Sequence, residues 1–241
     1  MPRFAQRVLV PELMDTEPCG SDTFRACLVD LSKVNRLSLA YRPTLAFLRQ
    51  AARRLPPGRP LRLLDVGGGY GDTLRHLDRW AARRGIALDM TSVDLSPWSR
   101  TAGETAAATR TPIRFVTANI FDHVPDAPPD VVISSLFTHH LEDRDVVRFL
   151  RWMERHATLG WFVNDLHRHP VPYWFFRYFS QAMRWHRFVR HDGPVSIGRA
   201  FTRQDWQRML AEAGLRASDA TIRWWMPFRY GITRFKPGPA A

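Results

Sequence analysis

Between Leu63 and Leu77 the chain reads LLDVGGGYGDTLRHL, an apolar run that breaks on four glycines and a tyrosine and resumes as an amphipathic stretch. Ordering glycine loses more backbone entropy than ordering any other residue, so a cluster of it needs a structural or functional reason. Here the cluster sits where a short strand gives way to a helix. In an open parallel sheet, that junction borders the ligand crevice.

The segments that follow keep the same rhythm. After LRLLDV and the glycine loop, a helix is predicted through Arg84. ALDMTSVDL is the next strand, PWSRTAGETAAATR a helix and IRFVTANI a third strand. PDVVISSLF is a fourth strand, EDRDVVRFLRWMERHA a helix and GWFVNDL a fifth strand. Short apolar strands alternating with helices predict a doubly wound parallel sheet. Upstream, residues 12–55 carry Leu28, Leu31, Val34, Leu45 and Leu48 at helical spacings, and PPGRP at 56–60 ends that segment. Downstream, TRQDWQRMLAEAGL reads as a helix with Thr202 as N-cap and Gly214 as its stop. DATIRWWMPF and RYGITRF close the chain as an expected antiparallel pair.

The loop spacing is D-x-G-x-G-x-G, with Asp65, Gly67, Gly69 and Gly71. A dinucleotide fingerprint would need a third glycine where Asp72 stands. The pattern instead resembles motif I of class I S-adenosylmethionine (SAM)-dependent methyltransferases. That resemblance implies SAM as cofactor, with its methionine part over the loop. It also implies a seven-stranded sheet in the order 3-2-1-4-5-7-6, strand seven antiparallel. Asp94, which ends strand two 23 residues after Gly71, stands where the family has an acidic residue that accepts both ribose hydroxyls; Leu95 follows it at the same site. FVTANIFDHVP resembles the adenine-holding segment, with Asn119 where the family usually has Asp. An amide oxygen still accepts from an amino group, and the Ile120 N–H donates to the ring. Asp122 is the nearby alternative. PDVVISSLFTHHLED resembles the strand-four motif of the ubiquinone- and menaquinone-pathway branch, which puts Ser135 beside the methionine end of the cofactor.

Methyl transfer to an oxygen or an activated ring carbon calls for a base, and histidine suits neutral pH. His167 follows strand five, and Asp165 orients it if the backbone turns; it is the first candidate. His139 is the alternative, although His139 and His140 also suit a bracing role between loop and helix. No ligand spacing is diagnostic of a metal, and none is expected. PYWFFRYFSQAMRW packs seven aromatics into fourteen residues. It is expected to cover an apolar or aromatic acceptor, with Tyr173, Trp174 and His140 touching it.

The net charge of +12 comes from 35 basic residues of which only Lys33 and Lys236 are lysine. The arginines are spread along the chain, so no nucleic-acid stripe is expected; attraction to an anionic membrane surface or an acidic carrier protein remains open. No apolar run reaches the ~18 residues of a transmembrane helix. Two cysteines, Cys19 and Cys27, imply no disulfide framework, and a cytoplasmic location is expected. The expected organisation is a helical lid over residues 1–55 and a SAM-binding domain over 56–241, with an aromatic cover at about 167–198. The expected activity is methyl transfer to O or C of a small lipophilic or aromatic metabolite. An RNA or protein methyltransferase and a non-catalytic SAM-binding protein are the alternatives.

Overall fold

Every residue of Leu61–Val66 (β1) except Arg62 is buried, as a central strand requires when both faces of its sheet are covered. The computed structural model describes residues 4–17, 20–56, 58–106 and 108–237; Cys19 and the tail from 238 lie outside them. The other strands are β2 Leu88–Asp94, β3 Ile113–Thr117, β4 Val131–Ser135, β5 Gly160–Leu166, β6 Ala220–Trp225 and β7 Arg229–Phe235. They form one sheet in the order β3-β2-β1-β4-β5-β7-β6. β7 runs antiparallel to both β5 and β6, and the first five strands are parallel. This is the expected topology.

The helices are α1 Leu13–Thr16, α2 Ser21–Leu37, α3 Tyr41–Ala52, α4 Asp72–Ala82, α5 Pro97–Thr105, α6 Asp143–His156, α7 Pro170–Ala182, α8 Arg187–Arg199 and α9 Arg203–Glu212. Local chemistry sets several of their ends. Thr202 and Asp205 make a reciprocal capping box on α9, and Gly214, at φ +91°, stops the chain after it. One face of the sheet is covered by α6 and α9, where Phe149, Leu150, Trp206 and Met209 meet Val132, Trp161, Val163 and Ile232. The opposite face is covered by α3 and α4, where Phe47, Leu48, Leu74 and Leu77 meet Leu63, Ile133 and Phe162.

A third cluster joins the N-terminal helices to the segment after β5. Cys27, Leu31 and Val34 of α2 pack with Phe176 and Phe179 of α7, Trp185, and Phe188 and Val189 of α8. These elements cap the edge of the sheet at which the parallel strands end. α3 does not belong to this cap, because its apolar face lies on the sheet. Of the segment 1–55 expected as a lid, α2 thus joins the cap, while Phe47, Leu48 and Ala51 of α3 pack on the sheet.

Candidate active site

The glycine loop begins where β1 ends. Gly67, Gly69 and Gly71 all have positive φ, at +69°, +52° and +79°. Gly71 is the N-cap of α4. A Cβ on Gly67 would lie 2.6–2.8 Å from atoms of the Phe137 side chain, so a side chain there would displace that ring and strain the backbone. Part of what approaches this loop so closely is thus the protein itself. Gly67 and Gly69 face the cavity described below, while Gly71 is turned behind it, towards Arg75 and Phe115.

Polar groups gather around that loop. Asp65 is 1% exposed, and neither of its carboxyl oxygens has a hydrogen-bond partner among the described residues. Burial, then the nearby Asp72 and Asp94, push its pKa well above the ordinary carboxylate range. Asp94 accepts from the Gly69 N–H and the Ser96 N–H, each at 2.9 Å. Each of its oxygens keeps a second lone pair for a further donor. Leu95 beside it is exposed. Asn119 accepts from the Phe121 N–H at 3.1 Å, and Ile120 is buried. Ser135 Oγ accepts from Asn164 Nδ2 at 3.1 Å. Asp65, Gly67, Gly69, Asp94, Leu95, Asn119, Ile120 and Ser135 line a single cavity of about 1610 Å³, and Asp122 does not. Most single-ligand pockets hold ~300–1,000 Å³, so this one has room for a cofactor and a second molecule.

His139, His140 and His167 line the same cavity. Asp165 is fully buried, and its partner is His139, not His167. His139 Nδ1 lies 2.7 Å from Asp165 Oδ1. The Thr138 hydroxyl, the His139 N–H and the Leu166 N–H also donate to this carboxylate. Side chains alternate along β5, so Asp165 faces the short helical turn Thr138–His140 that follows β4. The orientation of His167 by Asp165, expected from their spacing, is corrected on this geometry. Burial opposes ionisation of Asp165, but the charge and hydrogen bond of His139, with the Thr138 and Leu166 bonds, hold its pKa down at about 2.

His167 instead accepts from Trp224 Nε1 at 3.3 Å and lies among the rings of His169, Phe228 and Tyr230. Burial, then His169 and Arg168, push its pKa down to about 4. It is neutral at pH 7 but a weak base, whereas an efficient base titrates near the working pH.

Sequence reasoning missed the groups facing His139. Glu12, only 4% exposed, places Oε1 3.8 Å from His139 Nε2 and Oε2 3.9 Å from His140 Nε2. It accepts from Ser196 Oγ at 2.9 Å. Arg199 Nε lies 3.9 Å from Glu12 and donates to the His139 carbonyl at 3.0 Å, which braces the turn. Asp192 accepts from the Leu13 and Met14 N–H groups and so ties α1 across the site. The missed signal was a stripe: Asp192, Ser196 and Arg199 share one face of α8 at i, i+4, i+7. Glu12, His139 and His140 also present ligand atoms within 4.8 Å of one another, a set of the kind that holds a divalent metal.

The aromatic helix α7 does cover the cavity, but with a different face from the one expected. Val171, Pro172, Phe175 and Phe176 line it, opposite Phe24 and Leu28 of α2. Tyr173 packs edge-on against Phe4, and Trp174 stacks with Tyr178, so neither reaches the cavity. Helical geometry separates positions 172, 175 and 176 from 173 and 174, which apolar content alone does not.

A family model described as a methyltransferase domain matches residues 37–219, about three quarters of the chain. No curated protein matches the sequence. Among solved structures, the plantazolicin methyltransferase BpumL in complex with a triazolic desmethylPZN analog and SAH is similar at TM-score 0.62 and 12% identity, over 90% of this chain and 97% of that one. A SAM dependent methyltransferase from Aquifex aeolicus gives TM-score 0.61 at 15% identity, over 90% and 99%. Human N-acetylserotonin methyltransferase in complex with SAM gives 0.62 at 16%, over 90% of this chain and 56% of that one. At such identities the likeness is one of fold. The extent of the family match carries the assignment, and the chain belongs to the methyltransferase domain family.

Proposed function

We propose that this SAM-dependent methyltransferase transfers a methyl group to an ionisable oxygen, or to a carbon activated by one, on a small apolar or aromatic acceptor. The observation that carries this reading is one cavity shared by the glycine loop, the His139–Asp165 pair and the Phe175–Phe176 wall. A phenol or hydroquinone fits such a site, in line with the resemblance to the quinone-pathway branch. The net charge of +12 favours a weak, salt-sensitive attraction to an anionic membrane or acidic carrier that presents the acceptor.

The residues present fit SAM. The unpaired Asp65 carboxyl stands ready for the cofactor's cationic amino group, and the free lone pairs of Asp94 suit the ribose diol. Asn119 and the Ile120 N–H would hold adenine. Gly67 and Gly69 leave the loop backbone open to the methionine part. When bound, SAM supplies an electrophilic methyl on a sulfonium.

The chain's own residues supply alignment and a base. A carboxylate only accepts, so Asp165 holds a proton on His139 Nδ1, and in the base form of the ring the lone pair is the one on Nε2. That nitrogen lies on the side of Glu12, at the cavity. His139 takes the proton of the acceptor, and Asp165 and Glu12 stabilise the resulting imidazolium. α2, α7 and α8 exclude water from the reacting atoms.

The test is incubation with methyl-labelled SAM and a panel of phenols, hydroquinones, enolisable acids and amines. A labelled O- or C-methyl product is expected. Label transferred only to RNA or protein, or none with SAH bound tightly, refutes the reading in favour of a macromolecular or non-catalytic role.

A further inference from the structure

We propose that Arg229 binds an anionic oxygen group of the methyl acceptor, so that the acceptor carries a carboxylate-type anion beside its apolar body. This rests on the reading of the cavity as a methyl-transfer site and specifies the substrate class within it.

Arg229 opens β7 opposite Leu166, the last residue of β5. It is 3% exposed and lines the cavity. Among the described residues it is the one lysine or arginine that does so, against six carboxylates from Glu12, Glu17, Asp65, Asp72, Asp94 and Asp192. Nη2 donates to Ser38 Oγ at 3.0 Å. Nε and Nη1 have no partner among the described residues, and no ion pair reaches this guanidinium. Asp165 attracts it only from beyond hydrogen-bond range. Burial pulls its pKa down to about 10, so it is still a cation at neutral pH. A buried cation with two idle donor nitrogens is a costly arrangement unless something else completes it. Arginine donors match a planar oxyanion in two-point fashion.

Position assigns that oxyanion to the acceptor and not to the cofactor's own carboxylate. β7 stands three strands from β1 in the sheet order. At ~4.8 Å per strand, the backbone carrying Arg229 is ~14 Å from the glycine loop. Its near neighbours along the chain are Pro227 and Phe228, which line the cavity beside His167. The anion therefore meets the cavity from the β7 side, three strands along the sheet from the loop that holds methionine.

The experiment uses calorimetry on the full chain with SAH, 5′-methylthioadenosine, 2-naphthoate and 2-naphthamide as probes. In the SAH-loaded parent, naphthoate is expected to bind ~10-fold or more tightly than naphthamide. Arg229→Met removes that preference and leaves the affinities for SAH and methylthioadenosine unchanged. Arg229→Lys keeps part of the preference and controls for folding. If Arg229→Met loses SAH affinity but not methylthioadenosine affinity, the guanidinium serves the cofactor's carboxylate and the proposal fails. Equal binding of naphthoate and naphthamide to the parent also overturns it. A parent that binds no SAH refutes the methyltransferase reading itself, a distinct outcome.

Discussion

Asp165→Asn tests the catalytic pair at the smallest possible change of shape. The Asp165 carboxylate accepts from four donors: the Thr138 hydroxyl, the His139 N–H, His139 Nδ1 and the Leu166 N–H. Asparagine has one oxygen and one NH2 group, so one half of that donor set must face an amide that also donates. If the NH2 faces His139, the imidazole moves its proton to Nε2 and the lone pair facing the acceptor is lost. If the NH2 faces the other way, the buried His139 N–H is left unpaired. Either seating costs about 1–3 kcal/mol of stability for the unmet donor. Loss of a positioned base lowers kcat by ~10²–10⁴, while Asp94 and the glycine loop, the groups proposed to hold SAM, are untouched. The sign of the pH effect also follows. Asp165 is lowered from its ordinary 3.8 to about 2 in the fold. The stability it contributes is complete above pH ~4 and is lost as pH falls towards 2, and the variant lacks that acid step. The assay combines kcat with the acceptor found in the panel, SAH affinity by calorimetry, and ¹⁵N shifts of the His139 ring. A variant with near-parental kcat and an unchanged Nδ1–H tautomer refutes the pairing as the source of the base.

Other perturbations separate the remaining roles. Gly67→Ala, which forces a Cβ into the Phe137 side chain at positive φ, is expected to cost about 1–3 kcal/mol in thermal melts and to weaken SAH binding. Asp94→Ala should lower SAH affinity at least ~10-fold, because it removes the proposed ribose acceptor and frees the Gly69 and Ser96 N–H groups together; unchanged affinity by calorimetry contradicts the assignment. The folded pKa of His167 lies at about 4, below its ordinary 6.5, so the unfolded chain binds its proton first and this residue destabilises the fold as pH drops from 6.5 to 4. His167→Gln should therefore raise Tm in that window relative to the parent, with no gain at pH 8 and with kcat largely retained. Dialysis against EDTA should leave kcat unchanged, since the Arg199 guanidinium already supplies positive charge 3.9 Å from Glu12; loss of activity restored by a divalent cation would reassign Glu12, His139 and His140 as ligands.

The parts of this protein legible in the chain are those that local physics writes into short segments. The strand–helix rhythm follows from where apolar side chains repeat, and it placed β1 to β5 and their helices in order. Positive φ at Gly67, Gly69 and Gly71 is a demand that glycine alone meets cheaply, so the loop announces itself. Thr202, Asp205 and Gly214 mark the two ends of α9 within a single segment. What tertiary structure alone decided are contacts between residues far apart along the chain. Asp165 finds His139, 26 positions away, because the β4 turn passes over the face to which alternation points it. Glu12 meets Ser196 across 184 positions because α1 is tied down on α8. The amphipathic pattern of α3 is the same whether its apolar face meets a sheet or a lid, and only packing showed that it meets the sheet. The dense aromatics of α7 hid which face lines the cavity, and the first of the two arginines in RYGITRF gave no sign that it would be buried with two donor nitrogens idle. A segment's periodicity encodes which of its faces is apolar; what that face meets depends on how the layers close, and that information resides in no single segment.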